Sequence, residues 1–288
     1  MKVNVVTGGG TGIGRAAAAM LPKDEKVVIT GRRLEKLNKT AEELNAEGHQ
    51  LVGMTCDVSK REDVKKLAEF AASLGDVSKV IHCAGVSGSM ANRETIIRIN
   101  ALGTVHVNQE FYKVMNGGCI VDVASDSGYI LPGIMLPGKG VYRLAIEDED
   151  RFVTKMVKKA RLGKDEGTNS QIAYMISKNF ARWYSERCAY KYMANKGIRV
   201  FSISPGYVET PMTEKEKGEA TDIMLSYTGL KRGAAPEELA YIITALADER
   251  ASYLAGADLV CDGGVVNNGY GFLTATKKYK EKALEENW

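Results

Sequence analysis

Tyr174 and Lys178 stand four residues apart in the segment YMISK. On a helix that spacing puts both side chains on one face, one turn apart. A free tyrosine loses its proton near a pH of about 10. An ammonium fixed beside it favours the phenolate and brings proton exchange toward neutral pH. Lowering the value by roughly 2–3 units takes about 3–4 kcal/mol of differential stabilisation. A lysine and a cationic cofactor ring together could supply that. Many Tyr-x-x-x-Lys pairs are ordinary helix surface, so the meaning of this one rests on the elements around it.

Short apolar runs alternate with helical patterns along the chain. The strand-like runs are Val3–Val6, Val27–Thr30, Leu51–Thr55, Val80–Cys83, Cys119–Ala124, Val200–Ser204 and Asp258–Cys261. Helical periodicity marks Arg15–Leu21, Leu34–Glu47, Val64–Leu74 and Ala91–Met115. Such alternation implies a parallel sheet covered on both faces. No internal repeat, low-complexity linker or second alternating series is present. The expectation is one doubly wound α/β domain over residues 1–288, with a parallel sheet of about seven strands and helices on both faces. A charged tail, about 274–288, is expected to lie outside it as a terminal helix or a partly disordered segment.

Apolar residues make up 44% of the chain and charged residues 26%, the balance of a soluble globular protein. A net charge of +3 with dispersed cations gives no reason to expect nucleic acid. No apolar stretch approaches the ~20 residues that span a bilayer. The N-terminus runs straight into a strand and a glycine loop, unlike a signal peptide. The five cysteines, at 56, 83, 119, 188 and 261, show neither metal spacing nor a disulfide framework. His49, His82 and His106 are scattered singly and suggest no metal site. A cytoplasmic protein with a small-molecule partner is expected.

TGGGTGIG, from Thr7 to Gly14, lies between the first strand and the first helix. Glycines there let the backbone approach a pyrophosphate, and the helix N-terminus offers free N–H groups and a favourable dipole. Gly8, Thr11, Gly12, Ile13 and Gly14 are the candidate contacts. After the second strand a carboxylate would hold a ribose 2′-hydroxyl. Here Gly31 is followed by Arg32 and Arg33, whose guanidiniums match a 2′-phosphate. NADP(H) is therefore expected over NAD(H), with a solvated loop role as the alternative, chiefly for Arg33. Asp57, followed by Val58 after the third strand, could accept from the adenine amino group or serve as a helix cap.

The chain resembles the short-chain dehydrogenase/reductases from about residue 2 to 270. TGGGTGIG matches the family's TGxxxGxG, and CAGV at 83–86 its NAG element, with Cys83 in place of asparagine. Asn100 in RIN, Ser125 in VASDSG and YMISK match its helix asparagine, serine and YxxxK. SPGYVET at 204–210 and DGG at 262–264 match its last two elements. The resemblance implies a Rossmann fold and hydride transfer between a nicotinamide and a carbonyl or alcohol. It makes Tyr174 the proton donor in reduction and acceptor in oxidation, with Ser125 bonded to the substrate oxygen. Lys178 would lower the tyrosine pKa and bind the nicotinamide ribose. Asn100 would position a water that links Lys178 to solvent. Ala84 and Gly85, then Pro205, Gly206, Val208 and Thr210, would line the cofactor. A homo-oligomer is also implied. The logic is sound in physical terms, because a developing oxyanion needs donors already in place.

One departure stands out. Ser125 and Tyr174 are 49 positions apart, where most relatives have about a dozen. The insert, about 131–168, adds roughly 35 residues whose content is not linker-like. LPGIMLPGKG reads as an apolar loop. Asp148–Leu162 reads as an amphipathic helix, with Phe152, Met156, Val157 and Ala160 near one stripe and acids at its start. Three roles are open: a lid that shapes the pocket through Ile130, Leu131, Ile134, Met135 and Leu136, a rebuilt subunit contact, or a surface insertion. An insert here together with CAG is similar to a bacterial subgroup near 3α-hydroxysteroid dehydrogenase/carbonyl reductase. The segment Pro211–Gly233 offers Met212, Met224, Leu225, Tyr227 and Leu230, and methionines adapt to irregular apolar shapes. The expected substrate is a bulky hydrophobic ketone or secondary alcohol such as a hydroxysteroid or bile acid. The alternative is a 3-oxoacyl or general carbonyl compound. A non-catalytic NADP-binding redox sensor is a further reading, but such members usually lose the tyrosine or lysine.

Overall fold

The computed structural model describes residues 1–216 and 218–271. The strands are β1 (Lys2–Thr7), β2 (Lys26–Gly31), β3 (Gln50–Thr55), β4 (Asp76–His82), β5 (Cys119–Val123), β6 (Arg199–Pro205) and β7 (Asp258–Cys261). They form one seven-stranded sheet in the order β3-β2-β1-β4-β5-β6-β7. Every pair is parallel. After β3 the chain crosses back to place β4 on the other side of β1. That reversal opens a crevice at the C-terminal ends of the strands. The tail expected at about 274–288 lies outside the described residues.

The helices are α1 (Gly12–Met20), α2 (Leu34–Ala46), α3 (Arg61–Leu74), α4 (Arg93–Ile96), α5 (Gly103–Val114), α6 (Ser127–Ile130), α7 (Lys139–Glu147), α8 (Glu149–Lys159), α9 (Glu166–Lys196), α10 (Glu219–Tyr227) and α11 (Pro236–Ala247). Val6, Ile29, Val121 and Phe201 pack on one face of the sheet with α1, α2 and α11. Val5, Val28, Val80, Ile120 and Val200 pack on the other with α3, α5 and α9. Neighbouring strand residues point to opposite faces, so burial of both faces makes the runs continuously apolar. Among the described residues no helix is long and apolar enough to cross a membrane.

Two elements differ from the sequence expectation. Ala91–Met115 is not one regular helix: a π-turn segment, Ile97–Leu102, separates α4 from α5. The Gly103 N–H reaches back five residues to the Arg98 carbonyl, and the wider turn carries the buried Asn100. The insert holds two helices rather than one. α7 escaped notice because Pro and Gly signals run up to its start and it spans only nine residues.

The insert forms a hairpin docked on α9. Asp148 caps α8 by accepting from the Arg151 N–H at 3.0 Å. Phe152, Val153, Met156 and Ala160 are buried. The Phe152 and Tyr142 rings lie 4.9 and 5.2 Å from the Phe180 ring of α9. At the start of α8, Glu149 accepts from Arg61 of α3 at 2.6 Å and lies 3.1 Å from His106 of α5. Burying a large apolar side chain stabilises by about 1.5–3 kcal/mol, and truncation adds a cavity cost. Phe152→Ala should therefore cost about 3–5 kcal/mol, read as a lower urea midpoint at unchanged slope. A cost under about 1 kcal/mol would mean that the hairpin is not docked on α9.

Candidate active site

The glycine turn is built from positions that exclude side chains. Gly8 has φ +68°, and a Cβ there would come within 3.0 Å of the Ala84 nitrogen and the Cys83 carbonyl carbon. A Cβ on Gly14 would collide with the Gly8 carbonyl oxygen. The turn therefore lies flat against the start of α1 and the loop after β4. Thr11 gives α1 no side-chain cap, and its first turn holds no acid. The free N–H groups of that turn remain available to an anion.

A cavity of about 290 Å³ runs from this turn across the ends of the strands. Gly8, Thr11, Gly12, Ile13, Gly14, Arg32, Arg33, Asp57, Val58, Ala84, Gly85, Ser125, Tyr174, Lys178, Pro205, Gly206, Val208 and Thr210 all line it. Lys36, on the first turn of α2, joins Arg32 and Arg33 at one end. Sequence reading missed it, although its spacing of four from Arg32 was the available signal. Asp57 is the one carboxylate among the described lining residues. Its Oδ1 accepts from the Ser59 N–H and hydroxyl at 3.0 and 2.7 Å, so that oxygen serves the turn before α3. Pro211, Met212 and Thr213 also reach the cavity.

Tyr174 and Lys178 both belong to α9. Asp165 caps α9 by accepting from the Thr168 N–H at 2.8 Å. Lys178 Nζ lies 5.8 Å from the centroid of the Tyr174 ring and donates to the Val123 carbonyl at 2.9 Å. Burial brings this ammonium down to about 8. Asn100 lies behind the cavity wall. Its Oδ1 accepts from the Val86 N–H at 2.9 Å, and its Nδ2 donates to the Val86 carbonyl and Ser177 Oγ at 2.9 and 3.2 Å. Both amide hydrogens are thus committed to protein, and Asn100 clamps the loop after β4 to α9.

Ser125 stands two residues past the end of β5. Its Oγ donates to Asp126 Oδ1 at 3.1 Å and accepts from the Ser127 N–H at 3.2 Å. Three residues on, Gly128 lets α6 touch α9: a Cβ there would come within 2.9 Å of the Asn179 nitrogen. Asn179 donates to the Gly128 carbonyl at 2.7 Å and accepts from the Tyr142 hydroxyl at 2.8 Å. The insert therefore braces the helix beside Lys178. No residue of 131–168 lines this cavity. Leu131 is buried and Ile134 is 89% exposed. Met224, Leu225, Tyr227 and Leu230 do not line it either. Tyr227 is buried edge-on against Tyr270, with ring centroids 5.2 Å apart. Tyr227 thus packs its own segment while Leu230 is exposed, which periodicity alone does not reveal.

Cys83, in place of the family asparagine, has its thiol pushed up to about 12 by burial. Thr7 ties this corner instead, accepting from the Ala84 N–H at 3.1 Å and donating to His82 Nδ1 at 2.7 Å. Burial brings His82 down to about 3, so it is the neutral acceptor this bond requires.

Comparison with known proteins agrees with this geometry. Residues 2–137 match the short chain dehydrogenase family, and residues 133–266 match a family described as enoyl-(acyl carrier protein) reductase. The chain is 28% identical over 267 residues to the short-chain dehydrogenase/reductase bsc3 of Alternaria brassicicola, covering 91% of this chain and 94% of that protein. The cyclohexanol dehydrogenase of Acinetobacter sp. (strain SE19) matches with the same identity and the same shares. The structure of a short-chain type dehydrogenase/reductase from Mycobacterium ulcerans superposes with a TM-score of 0.74 at 22% identity, over 100% of this chain and 98% of that one. A parallel sheet with a glycine turn at its crevice is the architecture of the dinucleotide-binding class of proteins. This chain belongs to its short-chain dehydrogenase/reductase family.

Two buried acids flank the centre. Burial pushes Asp122 up to about 6 and Asp126 up to about 7, from the ordinary carboxylate value of about 4. The folded chain then holds protons that the unfolded chain has released. Their contribution to stability is full below pH ~4 and is lost as pH rises through ~6 to ~7. Asp126→Asn should therefore gain stability relative to the parent as pH rises from about 5 to about 8, in paired urea titrations. A difference that does not change with pH would contradict the assignment.

Proposed function

We propose that this chain is an NADP(H)-dependent oxidoreductase, working as one domain, that interconverts a ketone and a secondary alcohol. The observation that carries this reading is the shared cavity: Ser125, Tyr174 and Lys178 line the same cleft as the glycine turn and the Arg32–Arg33–Lys36 cluster. The cleft suits the cofactor because Cβ-free backbone and uncapped N–H groups meet at one point. The three cations offer charge-assisted donors to a 2′-phosphate. When bound, the nicotinamide supplies or accepts the hydride. Tyr174 gives its proton to the substrate oxygen in reduction and takes it back in oxidation. Ser125 holds that oxygen through its hydroxyl. The Lys178 ammonium favours the Tyr174 phenolate. Asn100 keeps the loop after β4 and α9 in register.

For the substrate we favour a hydrophobic ring ketone. Met212 and Pro211 offer an adaptable apolar surface at the cavity. One relative is by name a dehydrogenase of cyclohexanol, a ring alcohol. A hydroxysteroid or bile acid is the bulky member of that class, and a 3-oxoacyl or general carbonyl compound is the alternative. A homo-oligomer fits the place of β7 at the end of the sheet and the exposed Tyr241 and Tyr253. The five free cysteines suit a reducing, cytoplasmic compartment.

A screen of cyclic ketones and ketosteroids, following NADPH absorbance, tests the reading. Tight NADPH binding without turnover of any carbonyl or alcohol would favour a sensor instead. Tyr174→Phe should lower turnover by roughly 10²–10⁴-fold while NADPH affinity stays within about threefold. Retained turnover would remove Tyr174 from the proton step. Arg32→Ala should weaken NADPH by about 10–100-fold and leave NADH nearly unchanged, because one charge-assisted bond to phosphate is lost. Equal losses for both cofactors would refute the 2′-phosphate assignment.

A further inference from the structure

Asp126 is only 3% exposed, and its Oδ2 has no hydrogen-bond partner among the described residues. Its Oδ1 faces two hydroxyls, Ser125 Oγ at 3.1 Å and Ser127 Oγ at 3.4 Å. A carboxyl buried with one oxygen unpartnered is costly to ionise.

The hydrogens around Ser125 can be counted. Its Oγ carries one hydrogen, here donated to Asp126, and it already accepts from the Ser127 N–H. A ketone oxygen has only lone pairs, so Ser125 must donate to it. Once its hydrogen turns to the ketone, Oγ and Asp126 Oδ1 face each other lone pair to lone pair. A proton on Asp126 removes the conflict, because the acid then donates to Oγ.

We propose that Asp126 is a positioning residue for Ser125: protonated, it donates to the serine and turns the serine hydroxyl toward the substrate oxygen, while ionised, it captures that hydroxyl. The inference rests on the ketone–alcohol reading above. No proton leaves Asp126 in the step; Tyr174 supplies the proton that the reduced oxygen takes up.

The surroundings support a protonated acid. Burial, opposed by the Ser125 and Ser127 bonds and aided by Asp262 beyond β7, pushes Asp126 up to about 7. Asp262 uses both oxygens on the Gly264 and Val266 N–H groups at 2.8 and 2.7 Å. The Tyr270 phenol is itself pushed up, by burial and then by Asp126. From α9, Lys178 turns its ammonium to the Val123 carbonyl and Arg182 pairs with Asp258 at 3.1 Å. Tyr129 of α6 is likewise bonded to Asp258, at 2.6 Å. None of these cations is paired with Asp126.

The test has two arms. In the first, the carboxyl carbons of the whole enzyme are labelled with ¹³C-aspartate and titrated from about pH 5 to about pH 9, the resonance missing in Asp126→Asn being assigned to Asp126. A midpoint near neutrality is expected, and a carboxylate ionised throughout overturns the proposal. This arm needs no turnover, so it separates a failure at Asp126 from a failure of the proposed reaction. In the second, kcat/KM for reduction of cyclohexanone by NADPH is measured against pH. The parent should fall about tenfold per pH unit above the Asp126 midpoint. Asp126→Asn, whose amide can always donate to Ser125, should shift the limb upward in pH to the one that Tyr174 leaves, whereas Asp126→Ala should be slow at every pH. Identical limbs in the parent and Asp126→Asn would overturn the proposal.

Discussion

A buried ammonium sets the terms for this structure. Lys178 is out of water at the end of β5, and its recorded partner is the Val123 carbonyl. A buried cation is expensive unless it is held by acceptors. The fold meets that demand by fixing α9 closely against the sheet. Asn100 reaches from its π turn to Ser177, one residue from Lys178. Gly128 brings α6 within side-chain-free distance of the residue that follows it. Asp122 ties β5 to both neighbouring helices, accepting from Asn108 of α5 at 2.9 Å and Ser185 of α9 at 2.6 Å. The Tyr174 ring inherits its position from these contacts.

The insert belongs to the same scheme. It stands between Ser125 and Tyr174 in sequence, yet it contributes no wall to the cleft. Instead Tyr142 and Phe152 pack on the outer face of α9, and the Tyr142 hydroxyl bonds Asn179. Glu149 extends the contact to α3 and α5. A long addition near a catalytic centre has here become a brace. The apolar stripe of α8 is buried within the chain, while Ile134 and Ile146 are exposed.

The sequence was most legible where chemistry fixes both residue type and place. The glycine turn requires residues without Cβ, and the hydride–proton exchange requires a tyrosine near a cation, so Gly8, Gly14, Tyr174 and Lys178 could be named and fall on one cleft. Strands with both faces buried are continuous apolar runs, which made the sheet readable. Periodicity shows that a residue is buried but not what buries it. Ile134 and Leu230 were therefore credited with a pocket, but both are exposed. Asn100 was recognised, but its π turn leaves no pattern separable from a helix. Lys36 and Asp126 gain their places only from neighbours distant in sequence or set by the turn after β5.

The central claim is that the buried charge of Lys178 sets the pH at which α9 exchanges a proton with substrate. The direct measurement is the single-turnover rate of alcohol oxidation against pH at saturating NADP⁺, in the parent and in Lys178→Met. Removing the ammonium should move the rising limb upward by about 1–2 pH units and lower the rate at neutral pH by about tenfold or more. A Lys178→Met enzyme with the parent's rate and the parent's pH profile would contradict the account.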